Sequence, residues 1–410
     1  MPSDQRLHRY NRHSTGNQLK IKSIEAVRVK KRLQKNPIRA RRPSWNKSSK
    51  RAMPVNIYPE FSRLPGDMPG GGLENVWVKA TAEDGTWGLG QCAFGEPTAA
   101  FVNTVIAPIL VGRNCFAIEH LNDLMSRVSQ RFGISGTAST AMAGVDLALW
   151  DLKGKIYGLP VYSLLGGPVR ESITCYATGD DIDWAKELGF TKFKITNPAH
   201  YRESDAGIRE VVDHVAKARE DVGYNRDLMI NPVMSFNVEF ALRLLEELRP
   251  YNLRWFEEPL VPTDTNGLAQ IRQAAPWVAI ATGEDHHGRH AFLDLVEKRA
   301  ADILQPDICW GGGITETMKV HAIGEAAGIA TIPHGGANTP FGQHFAMAAT
   351  ESPIAEYWLG SDPGVPLVET VQIPGTPIPV NGKVRPSDEP GFGIQFELDD
   401  ITNWEEGTNK

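Results

Sequence analysis

From residue 191 onward, short runs of apolar residues recur at a steady pitch. They are 191–196 (TKFKIT), 227–231 (DLMIN), 253–258 (LRWFEE), 278–284 (VAIATGE), 301–307 (ADILQPD), 329–334 (IATIPH) and 354–360 (IAEYWLG). Between them lie amphipathic segments such as 238–248 (VEFALRLLEEL), whose apolar positions fall three and four apart as on one helix face. Strands alternating with helices predict βα units on a parallel sheet. Seven such units in one run favour a closed barrel over an open sheet.

The first 150 residues read differently. Residues 20–29 (KIKSIEAVRV) alternate as a strand does, and 75–90 reads as a hairpin around Asp84-Gly85. Helical patterns follow near 98–111, 117–130 and 137–156, so strands precede helices in an α+β arrangement. The resulting division is a flexible arm over 1–18, an α+β capping domain over 19–150, a (β/α) barrel over 151–366, and a tail over 367–410 returning to the cap. Inside the cap, the Pro- and Gly-rich stretch 30–72 is long for a loop without structure of its own and reads as a lid.

Charge sharpens the picture of that lid. Residues 28–51 carry eleven Lys and Arg and no Asp or Glu, whereas the whole chain has 43 basic against 49 acidic residues and a net charge of −6. The plain reading of such a run is a solvated loop. The sharper one is a positive lid drawing a small anion toward an acidic site. The net balance argues against a general nucleic-acid binder, and Trp45 is the one aromatic residue in the run, too few for base stacking. No apolar run reaches membrane-spanning length, and the four cysteines form no CxxC pair, so a cytoplasmic chain without a zinc cluster or disulfide framework is expected.

The candidate chemistry lies at the ends of five consecutive apolar runs: Asn231, Glu257, Glu284, Asp307 and His334, spaced by 26, 27, 23 and 27 residues. One βα unit per step puts each at the carboxyl end of a successive barrel strand, where barrel active sites are built. A single strand-end acid is usually a helix cap; five in register point to a site. Asn231, Glu257 and Glu284 offer only oxygen donors, which suit Mg²⁺. Asp307 is placed to fix the tautomer of His334 and raise its basicity as a general base. Glu356, in the next run, would hydrogen-bond a developing oxyanion if it keeps its proton. A Mg²⁺ clamp beside a histidine suits removal of a proton next to a carboxylate.

Residues 143–167 (AGVDLALWDLKGKIYGLPVYSLLGG) resemble the segment opening the barrel in mandelate racemase-like members of the enolase superfamily. The pattern continues in order with MINPVMSF, WFEEP, TGED, QPDICWGGG, IPHGG and PGFG, covering roughly 20–400. DWAKELGF, SDAGIRE and GEDHHG look most like the L-rhamnonate dehydratase branch. The resemblance implies an α/β fold, a modified TIM-type barrel under an α+β cap. It implies a Mg²⁺-dependent hydro-lyase that converts a sugar acid to a 2-keto-3-deoxy acid, and a homo-oligomer. It makes Glu257 and Glu284 metal ligands, His334 the base with Asp307 its partner, Glu356 an acidic group beside them, and Arg63 a substrate contact, with Lys194 and His286 as further candidate substrate contacts. The sequence departs from the family in three ways. Asn231 stands where an aspartate is usual, Asp285 where a histidine is, and the cap has no histidine between His13 and His120. The pair Lys192 and Lys194 resembles the base motif of superfamily racemases, so an epimerase using Lys194 and His334 is the rival reading. A dehydratase for a different sugar acid stands ahead of it, and a metal-poor pseudoenzyme behind.

Overall fold

The structure is a computed structural model and describes residues 19–30, 38–61 and 74–404. The expected arm over 1–18 and Arg63 lie outside the described residues.

The first strand buries Ile21, Ile24 and Ala26 in the cap core and Val27 on its other face, with a register shift between Ile21 and Ser23. This strand, β1 (Ile21–Val29), pairs antiparallel with β2 (Val76–Ala82), which turns at Gly85 (φ 88°) into β3 (Trp87–Cys92). The helix Thr137–Tyr157 lies across this sheet at very close range. A Cβ on Gly90 would come within 2.1 Å of the Gly144 carbonyl, and one on Gly88 within 2.3 Å of that of Ala148. Glycine at both places lets helix and sheet meet at backbone distance, closing a cap core of Val76, Val78, Leu121, Met125 and Leu149. The helix runs through residue 150, where the domain boundary was expected, so the cap's packing extends past it. The helical stretch expected near 98–111 runs from Gly95 to Leu110, with a π-helical turn at Val102–Ile106.

Eight parallel strands follow: β4 (Ile173–Thr178), β5 (Lys192–Thr196), β6 (Asp227–Asn231), β7 (Trp255–Glu257), β8 (Ala279–Thr282), β9 (Ile303–Leu304), β10 (Ala330–Thr331) and β11 (Ile354–Trp358). Each pairs with the next from β4 to β10, and β11 returns to lie beside β4. Between β10 and β11 the Thr331 amide reaches the Glu351 carbonyl at 2.8 Å. β4 is the one barrel strand not read from sequence, although ITCYAT carries the alternation. The tail contributes β12 (Lys383–Val384), antiparallel to β4, and β13 (Ile401–Asn403), antiparallel to β1.

The period of two along each strand stacks the barrel interior in layers. Tyr176, Met229, Trp255, Ile303 and Ile354 form an apolar plug. Two residues further along the same strands stand Thr178, Asn231, Glu257, Gln305 and Glu356, a polar ring that β5 joins through Lys194. Outward positions such as Phe193, Ile230 and Phe256 pack under the surrounding helices.

The basic run does not form an open positive lid over its described part. Residues 38–51 lie as a strap on the loops at the barrel mouth, and four of its cations are met by barrel carboxylates. Arg41 reaches Glu187 at 2.6 Å, Arg42 reaches Asp181 and Asp183 at 2.6 Å, Lys47 reaches Asp362 at 2.7 Å, and Lys50 reaches Glu203 and Glu210 at 2.9 and 3.0 Å. Asp181 is fully buried and also receives the Trp45 amide (3.0 Å) and the Ser44 hydroxyl. Charge that looked free to attract an anion instead holds the strap down. Among the described residues no helix is long and apolar enough to cross a membrane.

Candidate active site

A cavity of about 520 Å³ opens at the carboxyl ends of the barrel strands beneath the strap, and Asn231, Glu284, Asp307, His334, Glu356 and Lys194 line it. The period that seals the barrel below thus delivers polar groups above, as the strand-end spacing predicts.

His334 and Asp307 form a dyad. Asp307 Oδ2 lies 2.7 Å from His334 Nδ1, while its Oδ1 accepts the amides of Cys309 (2.7 Å) and Trp310 (3.0 Å). With the carboxylate anchored on its own turn, Nδ1 carries the proton and Nε2 faces the cavity, 3.9 Å from Glu284 Oε2. The Trp310 ring, 5.1 Å from the imidazole, backs it. Burial works against charge on His334, but Glu284, the Asp307 hydrogen bond and Glu356 outweigh it and hold its pKa well above the usual value.

Lys194 and Glu356 form a second unit. Lys194 is buried, in contact with Glu257 Oε1 and 2.8 Å from Glu356 Oε1. Burial opposes its charge, yet Glu257 and Glu356 raise its pKa well above the ordinary lysine value. It is a fixed cation, which disfavours the epimerase reading in which it serves as a second base. Glu356 also accepts from the Thr178 hydroxyl (2.6 Å) and the Gly335 amide (2.9 Å). Burial alone would raise its pKa; Lys194 and His334 bring it down to about 2. The expectation of a protonated Glu356 donating to an oxyanion is therefore corrected: this carboxylate is ionised, and the donor beside it is Lys194.

The expected cation ligands separate into two groups. Both oxygens of Glu257 are engaged, Oε1 by Lys194 and the Asn231 amide nitrogen (2.9 Å), Oε2 by the Trp255 indole (2.8 Å) and Gln305 (2.9 Å). Asn231 Oδ1 accepts from the Val233 amide (2.7 Å). On the other side, oxygens of Glu284, Glu258 and Asp285 lie within 4.8 Å of one another. Glu258 is buried, and its Oε2 has no hydrogen-bond partner. Burial raises the pKa of Glu284 to about 7, and that of Glu258 well above the ordinary value. Three crowded carboxylates with an orphaned oxygen lack a positive charge, and an all-oxygen donor set fits a hard divalent cation.

Sequence reading passed over Glu258 for a physical reason. Its backbone is left-handed (φ 45°), which breaks the strand's period and turns the side chain toward Glu284. Gln305 was legible as the inward position after Ile303. His286 does not reach the cavity wall: it is buried, neither ring nitrogen has a partner, and it packs on Phe292 at 6.0 Å. The turn closed by the His286 amide on the Gly283 carbonyl (3.0 Å) folds it inward.

Residues 180–401 match the enolase C-terminal domain-like model, and residues 72–166 the N-terminal domain of mandelate racemase/muconate lactonizing enzyme. The chain belongs to the mandelate racemase-like branch of the enolase superfamily. Within it, the chain is 39% identical over 352 residues to a protein of Caldivirga maquilingensis that carries the L-rhamnonate dehydratase name, covering 85% of this chain and 87% of that one. It is 37% identical to the L-rhamnonate dehydratase of Saccharopolyspora erythraea, covering 84% and 89% of the two chains. The crystal structure of rhamnonate dehydratase from Gibberella zeae complexed with Mg superposes with a TM-score of 0.86 at 29% identity, covering 97% of this chain and 99% of that one.

Proposed function

We propose that this protein is a Mg²⁺-dependent sugar-acid dehydratase acting on L-rhamnonate or a close stereochemical relative. The observation carrying the proposal is the His334–Asp307 dyad facing a cavity that also holds a crowded carboxylate cluster. The names of the similar proteins support it.

Glu284 would hold the cation, with Glu258 and Asp285 on one side and Glu257 and Asn231 on the other. Bound Mg²⁺ would supply Lewis-acid stabilisation of the charge that develops on the substrate carboxylate. The remaining steps belong to the chain's own groups. With a cation on Glu284 offsetting the charge that otherwise favours the protonated ring, His334 Nε2 would take the proton next to the carboxylate, and Asp307 would keep the ring in the tautomer that allows it. The surrounding carboxylates favour the imidazolium formed, and that imidazolium returns its proton to the departing hydroxyl as water leaves. Lys194, fixed as a cation by Glu257 and Glu356, adds positive charge on the cavity wall. Arg63 remains the cap residue proposed to contact substrate. Four free thiols suit a reducing cytoplasm. We place the chain there, as a homo-oligomer in keeping with its family.

A panel of sugar acids assayed with Mg²⁺ for 2-keto-3-deoxy products tests the reading. Turnover of L-rhamnonate or a stereoisomer, lost in His334→Asn, is the expected result. Exchange of solvent deuterium next to the carboxylate without dehydration would overturn it in favour of an epimerase.

A further inference from the structure

Arg41, Arg42, Lys47 and Lys50 of the strap all end on barrel carboxylates. Arg51 does not. Among the described residues no carboxylate lies within ion-pair distance of it; Nη2 donates to the Asn46 carbonyl (2.9 Å), and Nε is buried without an acceptor. Its side chain lines the cavity. The other cationic side chains on that wall are committed, Lys194 to Glu257 and Glu356 and His334 to Asp307. Arg51 thus brings to the cavity a charge that no described carboxylate meets and donors that lack acceptors, and a buried donor without an acceptor is rare in a native structure unless a ligand supplies one.

Its place in the fold says which part of a ligand it would meet. The Ala52 amide donates to the Asn197 carbonyl (2.9 Å), and Asn197 in turn donates to the carbonyls of Ala199 (2.7 Å) and Pro232 (3.4 Å). Asn197 follows β5 and Pro232 follows β6. In the ring of eight strands β5 and β6 stand three and four places from β10, so Arg51 overhangs the far side of the mouth from His334. It also belongs to the strap, outside the layer of strand ends where the reacting carbons would lie.

We propose that Arg51 is a substrate-binding residue that donates hydrogen bonds to hydroxyl oxygens at the end of the sugar acid remote from its carboxylate. Its planar fork matches two neighbouring oxygens, so it selects polyhydroxylated acids over short ones. The inference rests on the dehydratase reading, which places the carboxylate at the cation site.

The test measures binding in the His334→Asn protein with Mg²⁺, by titration calorimetry, with and without Arg51→Gln or Arg51→Lys. The probes are L-rhamnonate and glycerate, which keeps the carboxylate and first two hydroxyls but lacks the remote ones. Arg51→Gln should weaken L-rhamnonate by at least about tenfold, the usual scale for a lost charged hydrogen bond, and leave glycerate unchanged. Arg51→Lys should recover part of the loss, with melting temperatures equal to the parent's. Equal weakening of both acids would overturn the proposal by placing Arg51 on the carboxylate. No weakening of either would overturn it alone and leave the dehydratase reading standing. A parent protein that binds neither acid would overturn both.

Discussion

Asn231 offers the cavity a neutral amide beside a group of carboxylates, and its two polar atoms are already engaged by Glu257 and Val233. Asn231→Asp should therefore tighten Mg²⁺, while Glu284→Gln and Glu258→Gln should each loosen it by about tenfold or more, the usual sensitivity of such sites to ligand charge. Calorimetric Mg²⁺ titration of the substrate-free protein reads all three. An unchanged Glu258→Gln would mean that its orphaned oxygen is no part of the cation site. The gathering of Asn231, Glu284, Asp307 and His334 on one cavity was legible because a barrel converts regular spacing into convergence. Glu258 was hidden by a left-handed backbone. The ionisation of Glu356 was hidden by Lys194, which lies on another strand and is brought against it only by closure of the barrel.

The strap shows the same limit at the scale of an element. Its own composition is plain in the sequence, but the carboxylates that receive it are scattered from Asp181 to Asp362 and gather only when the barrel loops come together. Most of these pairs are exposed, and each is worth at most about 1 kcal/mol. Asp181 differs, because it is buried and satisfies Arg42, Ser44 and Trp45 together. Asp181→Ala strands those donors at a cost of about 1–3 kcal/mol. It should raise KM for the acid more than it lowers kcat and speed proteolysis within 38–51. Unchanged KM with unchanged proteolysis would show that the strap does not depend on this anchor. β4 carries the alternation in ITCYAT but lies ahead of the regular βα pitch that begins at β5, and besides β5 it is held by β11 and β12 from far along the chain.

Across the whole molecule, cap, barrel and tail are tied by buried polar groups. Asp151, at 0% exposure, accepts the amides of Leu89 in the cap (2.9 Å) and Phe392 in the tail (2.9 Å). Asp151→Asn would turn donor hydrogens toward one of those amides. It should cost about 1–3 kcal/mol, seen as a lower midpoint in urea. His344 accepts the Tyr162 amide at 3.1 Å between the rings of Tyr162 and Phe392, and burial lowers its pKa to about 3. The unfolded chain protonates this histidine near 6.5 and the folded one near 3, so its contribution to stability falls as pH drops through that window, by up to about 1.4 kcal/mol per pH unit. His344→Gln should accordingly lower the melting temperature at pH 7.5, and the gap to the parent should narrow as the pH falls toward 4. A gap that widens on acidification would reverse this assignment.

The ladder between β1 and β13 joins Val27 to Asn403, with the whole barrel lying between them in the chain. Contacts that distant in sequence carry a large loop-closure cost and form late. On the ribosome the barrel strands emerge in order and can pair with their neighbours as they come, but the edge of the cap sheet waits for β13, which follows all of them in the chain. The machinery that moves protons is thus assembled before the cover over it is finished. Emergence of β13 is the event that completes the cap sheet.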